Sequence, residues 1–109
     1  MKLYLNHPLY PLIIPVQAIA LIGSPDFIDV EVRGSDIVIR KGARFAVPAD
    51  AARKGLIAIR HRFRIPGVRG AQMYELSCRE ENGEILGQVA TLSPCALVLG
   101  PFAQASDAC

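Results

Sequence analysis

A chain of 109 residues with 51% hydrophobic side chains has the size of one domain, 1–109, and enough apolar material for one core. Its 12 basic and 10 acidic side chains leave a net charge of only +2, so any electrostatic attraction must come from a local patch rather than from the molecule as a whole. With no Trp, three Tyr and four Phe, a broad base-stacking surface is hard to assemble, which counts against single-strand nucleic-acid binding.

The N-terminal segment 1–25 is apolar and punctuated by proline. From Leu3 to Pro25 no residue before Pro25 carries a charge apart from protonation of His7, and Lys2 followed later by LIIPVQAIALIG is similar to a signal peptide with Ala18 and Ala20 at a cleavage site. Pro8, Pro11 and Pro15 interrupt the run, and a membrane helix needs about 20 unbroken apolar residues, so no membrane span is expected. PLYPLIIP therefore reads as an extended piece crossing a core or a partner surface. Pro15 at a first helical position and Gly23 just past the end frame a short helix, VQAIALI, with a buried strand as the alternative. His7, next to Pro8 and far from any partner, is expected to be exposed.

In IDVEVRGSDIVIRK, Ile28, Val30 and Val32 alternate with Asp29, Glu31 and Arg33, and Gly34-Ser35 supplies a two-residue turn with glycine first. This predicts a type II′ hairpin in which Arg33 pairs with Asp36, Val32 with Ile37, Val30 with Ile39 and Asp29 with Arg40. Asp26, Asp29 and Glu31 lack the regular oxygen spacing of a hard-cation loop, and turn and hairpin roles account for them better. GARFAVPADAARKGL then reads as a strand from Arg44 to Val47 and a helical turn from Ala49 to Lys54 closed by Gly55, with Arg53 and Lys54 at the negative end of the helix dipole. Through Gly42, Arg44, Pro48, Arg53 and Leu56, about fifteen residues of this segment resemble the AbrB-type swapped-hairpin DNA-binding family. Ala43 stands between the glycine and the arginine, and the family's later Gly-Asp turn is missing, so no function is carried over.

The stretch LIAIRHRFRI is the most polarised in the chain. As one strand from Leu56 to Ile65 it would set Arg60, Arg62 and Arg64 on one face and Ile59, His61, Phe63 and Ile65 on the other. From Ala51 to Tyr74 there are six basic residues and no acid. If the loop PGVRGA joins this strand directly to Gln72–Glu81, Arg62 falls opposite Glu75 and His61 opposite Leu76, with Cys78 as its diagonal neighbour. The candidate anion or partner site is then Arg60, Arg62, Arg64 and the loop residue Arg69, extended by Arg53, Lys54 and Arg44 and, more remotely, by Lys41. Guanidinium forks donate two parallel hydrogen bonds to carboxylate or phosphate. A solvated, charge-protected outer strand is the plainer reading of the same residues. Gly67 and Gly70 flank the loop without the lysine or helix of a phosphate loop.

Asn82-Gly83 between QMYELSCREE and EILGQVATL predicts a type I′ hairpin that pairs Glu81 with Glu84 and puts Tyr74, Leu76 and Cys78 on one face with Ile85, Val89 and Thr91. Gly87 permits a bend in its second strand. Cys78, Cys95 and Cys109 are an odd, widely spaced set without C-x-x-C, which reads as reduced thiols in a cytoplasmic protein, Cys109 being able to form an intermolecular disulfide on oxidation. The tail 103–109 is expected to fray.

The fold class expected is all-β, a small antiparallel barrel or sandwich of about six strands with one or two short helical turns. The function expected is a non-enzymatic interaction module that presents a basic strand and loop to an acidic protein surface or other anion and self-associates through its N-terminal segment into a homo-oligomer. The alternatives are nucleic-acid binding through backbone phosphates, and a small ligand-binding barrel or thiol enzyme with His61, Tyr74 and Cys78 around a cavity. No metal, cofactor or catalytic residue is assigned.

Overall fold

The computed structural model describes residues 1–34, 36–65, 68 and 72–95. Its strands are β1 (Lys2–Leu5), β2 (Leu12–Pro15), β3 (Phe27–Arg33), β4 (Asp36–Lys41), β5 (Phe45–Ala46), β6 (Leu56–Ile59), β7 (Tyr74–Glu81), β8 (Glu84–Gln88) and β9 (Ser93–Pro94), and its helices are α1 (Val16–Leu21) and α2 (Ala51–Lys54). They form a sheet in the order β5-β3-β4-β8-β7-β1-β2-β6, with β9 also on β7. Every pairing is antiparallel, and the sheet curls into a nearly closed barrel whose two free ends are β5 and β6. The expected class holds, with nine strands in place of about six.

Alternation of side chains accounts for the core. Leu3 and Leu5, Leu12 and Ile14, Ile28 and Val30, Ile37 and Ile39, Ile57 and Ile59, Leu76 and Cys78, and Ile85 all point inward and are buried. The N-terminal segment thus crosses this molecule's own core: β1 lies between β7 and β2 and donates Leu3 and Leu5 to it. The extra strands arise here, because an extended proline-bounded run yields two strands once Asn6 turns back at φ 59 and its N–H donates to the Pro11 carbonyl at 3.0 Å. Pro15 becomes the N-cap of α1 rather than its first residue.

The first hairpin has the register read from its sequence, from Arg33↔Asp36 to Asp29↔Arg40, and Gly34 takes φ 64. Ser35 lies outside the described residues. Asp29 nevertheless does not ion-pair with Arg40. Its Oδ1 accepts the N–H groups of Ala43 and Arg44, both at 3.0 Å, and these backbone bonds hold its carboxyl below the usual carboxylate range. A Cβ on Gly42 would overlap that carboxylate, so glycine is required where the chain leaves β4. Because the folded-state pKa of Asp29 is depressed, its contribution is present above its unfolded value and lost as pH falls through the folded one. Asp29→Ala should therefore lower the thermal midpoint at about pH 7, with the deficit relative to the parent shrinking toward about pH 2. A deficit constant over that range would refute this role.

The second hairpin also keeps its register at the turn, Glu81↔Glu84, with Asn82 at φ 53 and Gly83 at φ 80 as a type I′ turn requires. Its second strand stops early. β8 ends at Gln88, Val89–Thr91 form a 3₁₀ turn, and the chain returns to the same edge of β7 as β9. Cys78 faces Gly87 and Glu75 faces Ser93, so the five residues between Gly87 and Ser93 lie against only two, Leu76 and Ser77, on β7. Thr91 stabilises the detour: its Oγ1 accepts the Ser77 N–H at 2.8 Å and donates to the Gln88 carbonyl at 2.7 Å. The expectation that Val89 and Thr91 continue the strand is corrected accordingly.

The larger correction concerns LIAIRHRFRI. β6 ends at Ile59 and pairs with β2, not with β7, whose partners are β1, β8 and β9. Continuing the β2–β6 register would set His61 opposite Tyr10, but the Tyr10 N–H already donates to the His7 carbonyl inside the β1–β2 loop. The ladder has no next rung, and residues 60–65 leave the sheet. His7, expected to be exposed, is buried in that loop, where Nδ1 accepts the Leu9 N–H at 3.1 Å and the ring stacks on Tyr10; burial pushes its pKa down. Cys78 is a free buried thiol with its pKa raised by burial, as the expectation of a reduced thiol has it. Cys109 and the tail lie outside the described residues.

Candidate functional site at the open edge of the barrel

The sheet fails to close between β5 and β6, and side chains bridge the gap. Phe45, on β5, meets Phe63 edge-on with centroids 6.1 Å apart and His61 at the same distance, while His61 and Phe63 form a T-shaped pair at 4.7 Å. One Arg44 nitrogen lies 3.3 Å from Nε2 of His61, and the Arg44 guanidinium sits 5.0 Å from the Phe45 ring centroid. The segment after β6 is thereby folded back against β5. His61 is exposed here rather than set on an apolar strand face, and it belongs to the seam while Cys78 belongs to the core. His61 thus stands exposed while Tyr74 and Cys78 are buried in the core.

Apart from Arg79, paired with Glu81 on β7, the described basic side chains near the site fall into three groups. Arg44, Arg60, Arg62 and Arg64 are exposed along the seam and the segment leaving it. Arg60 stacks over Tyr10 at 5.4 Å, and Arg62 and Arg64 make no ion pair among the described residues. The partner anticipated for Arg62 is taken: Glu75 accepts from Nζ of Lys2 at 2.7 Å, because β1 rather than the arginine segment is its neighbour on β7. That hydrogen bond raises the Lys2 pKa. Arg53 and Lys54 form the second group, at the end of α2, where Asp50 lies 3.8 and 3.2 Å from them. They are less available to a partner, and the neighbouring Lys54 hydrogen bond lowers the Asp50 pKa. Arg69, with Gly67 and Gly70, lies outside the described residues.

A third set of charges sits on the outer face of the first hairpin. Glu31 accepts from Arg33 at 2.6 Å and from Arg40 at 2.8 Å, and Arg33 also reaches Glu84 on β8 at 3.2 Å. These charges satisfy each other and compete little for a partner. Lys41 is exposed at the end of β4.

Backbone geometry adds a feature that no side-chain pattern announces. The Val16 N–H donates to the Gly55 carbonyl at 2.9 Å, and Pro15, opposite Leu56, has no N–H to give. Hydrogen-bonded pairing with β2 therefore falls on Gly55, Ile57 and Ile59, and the N–H and C=O groups of Leu56 and Ala58 point away from it, to the open side. Among the described residues no backbone bond joins them to β5. The aromatic half of the site had one sequence signal, the recurrence of arginine-phenylalanine at Arg44-Phe45 and Arg62-Phe63.

No group of three or more His, Cys, Asp or Glu side chains among the described residues is arranged to hold a metal ion, and no helix there is long and apolar enough to cross a membrane. No family model, curated protein or solved structure matches the chain.

Proposed function

We propose that the protein is an interaction module whose open barrel edge, carrying Arg44, Arg60, Arg62 and Arg64, docks an acidic protein surface. The observation that carries this reading is the contrast in charge pairing: Glu31, Glu84, Glu75 and Asp50 are each engaged by other cations, while Arg62 and Arg64 stay exposed without an ion pair among the described residues. An exposed guanidinium loses little water on meeting a carboxylate and gains a bidentate bond. A packed core with Tyr74 and Cys78 inside it supports binding over catalysis. A homo-oligomer built on the N-terminal segment would have to use Met1, Leu9 and Leu21, because Leu3, Leu5, Leu12, Ile13 and Ile14 are already buried in the barrel.

The test is titration of the purified protein with fluorescent poly-L-glutamate, and in parallel with a mixed-sequence DNA duplex, at low and moderate salt. Saturable, salt-sensitive binding of poly-L-glutamate is expected, weakened at least about tenfold by combined Arg60→Glu, Arg62→Glu and Arg64→Glu. Arg53→Glu with Lys54→Glu should change it by less than about threefold, since Asp50 already partners those cations. No binding at low salt, or equal binding by the triple variant, overturns the reading. Tighter binding of the duplex with a steep salt slope replaces it with backbone-phosphate recognition.

A further inference from the structure

The free backbone groups of β6 are followed directly in the chain by Arg60, Arg62 and Arg64, and together they specify more than a charged patch. We infer that the partner binds as an extended acidic segment that adds to β6 as a further strand, through the N–H and C=O groups of Leu56 and Ala58, with its carboxylates on the neighbouring arginines. This rests on the reading of the seam arginines given above and narrows it to one binding mode.

Three observations lead there. An edge strand displays unpaired donors and acceptors that template another chain unless they are blocked. The two free ends of this sheet differ in this respect: β5 is only Phe45–Ala46, whereas β6 has four residues, of which Ile57 and Ile59 are bonded to β2 and Leu56 and Ala58 make no backbone bond on the opposite side among the described residues. Neither proline nor a bulge interrupts β6, so it lacks the usual structural protection of an edge. Charge is the protection it has, and charge is selective. Arg44 stands beside the edge, and Arg60, Arg62 and Arg64 follow it directly, so a basic strand, including β6 of a second copy with its own arginines, is repelled while an acidic one is attracted. Side chains of an added strand on the outer face would meet half-buried Ala58 and Leu56, the latter already packed on the apolar cluster of Tyr4, Ile13 and Met73, and could extend that contact.

Ala58 allows a clean test, because its N–H faces the open side and proline there deletes the edge donor without touching the β2 ladder carried by Ile57 and Ile59. The probe is an acetylated peptide of about eight alternating glutamate and valine residues, which favours an extended chain. Its affinity should fall at least about tenfold in Ala58→Pro, while poly-L-glutamate, held by charge alone, binds that variant within about threefold of the parent. In the parent protein, the peptide should slow amide exchange at Leu56 and Ala58 and leave Ile57 and Ile59, already bonded, unchanged. The exchange measurement needs no mutation and decides the matter should Ala58→Pro fold poorly. Unchanged exchange at Leu56 and Ala58 under saturating peptide, or full peptide affinity in a folded Ala58→Pro, overturns strand addition and leaves the charged-surface reading standing. Failure of both peptide and poly-L-glutamate to bind removes both.

Discussion

Leu3→Ala should destabilise the fold by about 2–5 kcal/mol and Gly87→Ala by about 1–3 kcal/mol, yet the two together should cost about 1 kcal/mol less than their sum. Leu3 is completely buried, and its Cδ1 would lie 2.6 Å from a Cβ placed on Gly87. That Cβ would also meet Leu76 Cδ1 at 3.3 Å and Ile37 Cβ at 3.4 Å, so room for the added methyl has to come chiefly from movement of the Leu3 side chain. Gly87 is not needed for an unusual backbone angle; it clears space for a leucine reaching over β7 from β1, the next strand but one. Trimming Leu3 opens a void that the new methyl partly fills, which is why the penalties should not add. Urea unfolding of the two single variants and the double variant measures all three terms, and strict additivity would show that Leu3 does not lie against Gly87.

Removal of Met1–Leu5 should leave no cooperative thermal transition. The deleted strand is internal to the sheet, so its loss exposes the edges of both β7 and β2 at once. It also takes Leu3, Tyr4 and Leu5 out of buried positions, and at about 2–5 kcal/mol for each large side chain the loss is comparable to the whole stability of a small domain, about 5–15 kcal/mol. Near-ultraviolet circular dichroism and a thermal scan of the truncated chain are the measurements. A sharp transition within about 10 °C of the parent would mean that β1 is peripheral. Cleavage after Ala20, at the site the N-terminal segment resembles, would remove β1, β2 and nearly all of α1.

Where the chain carries its own turn chemistry, the sequence was legible to the residue. Gly34 and Asn82-Gly83 place two hairpins in the expected registers, Gly55 closes α2 at φ 80, and the alternation of Ile28 and Val30 with Asp29 and Glu31 in β3 identifies the side that is buried. These are local decisions, made by positive φ angles and by a period of two. Local pattern was not enough for LIAIRHRFRI. Its alternation is as regular as that of β3, and it does start as a strand, but a strand continues only while a neighbour offers backbone groups to pair with. That neighbour is β2, some 45 residues earlier in the chain, and its supply ends where the Tyr10 N–H turns inward to His7. The pairing of Glu75 with Lys2, the burial of His7, and the meeting of Phe45 with His61 and Phe63 have the same origin.

By itself, then, the sequence determined a strand-rich chain with two hairpins of known register and a basic stretch from Arg60 to Arg64. Only the tertiary structure decided that β1 is central, that the sheet stops one pairing short of closure, and that the arginines flank the opening instead of lining a strand. The physical reason is the same throughout: side-chain alternation declares which face a residue prefers, but long-range backbone pairing decides whether there is a strand to have faces.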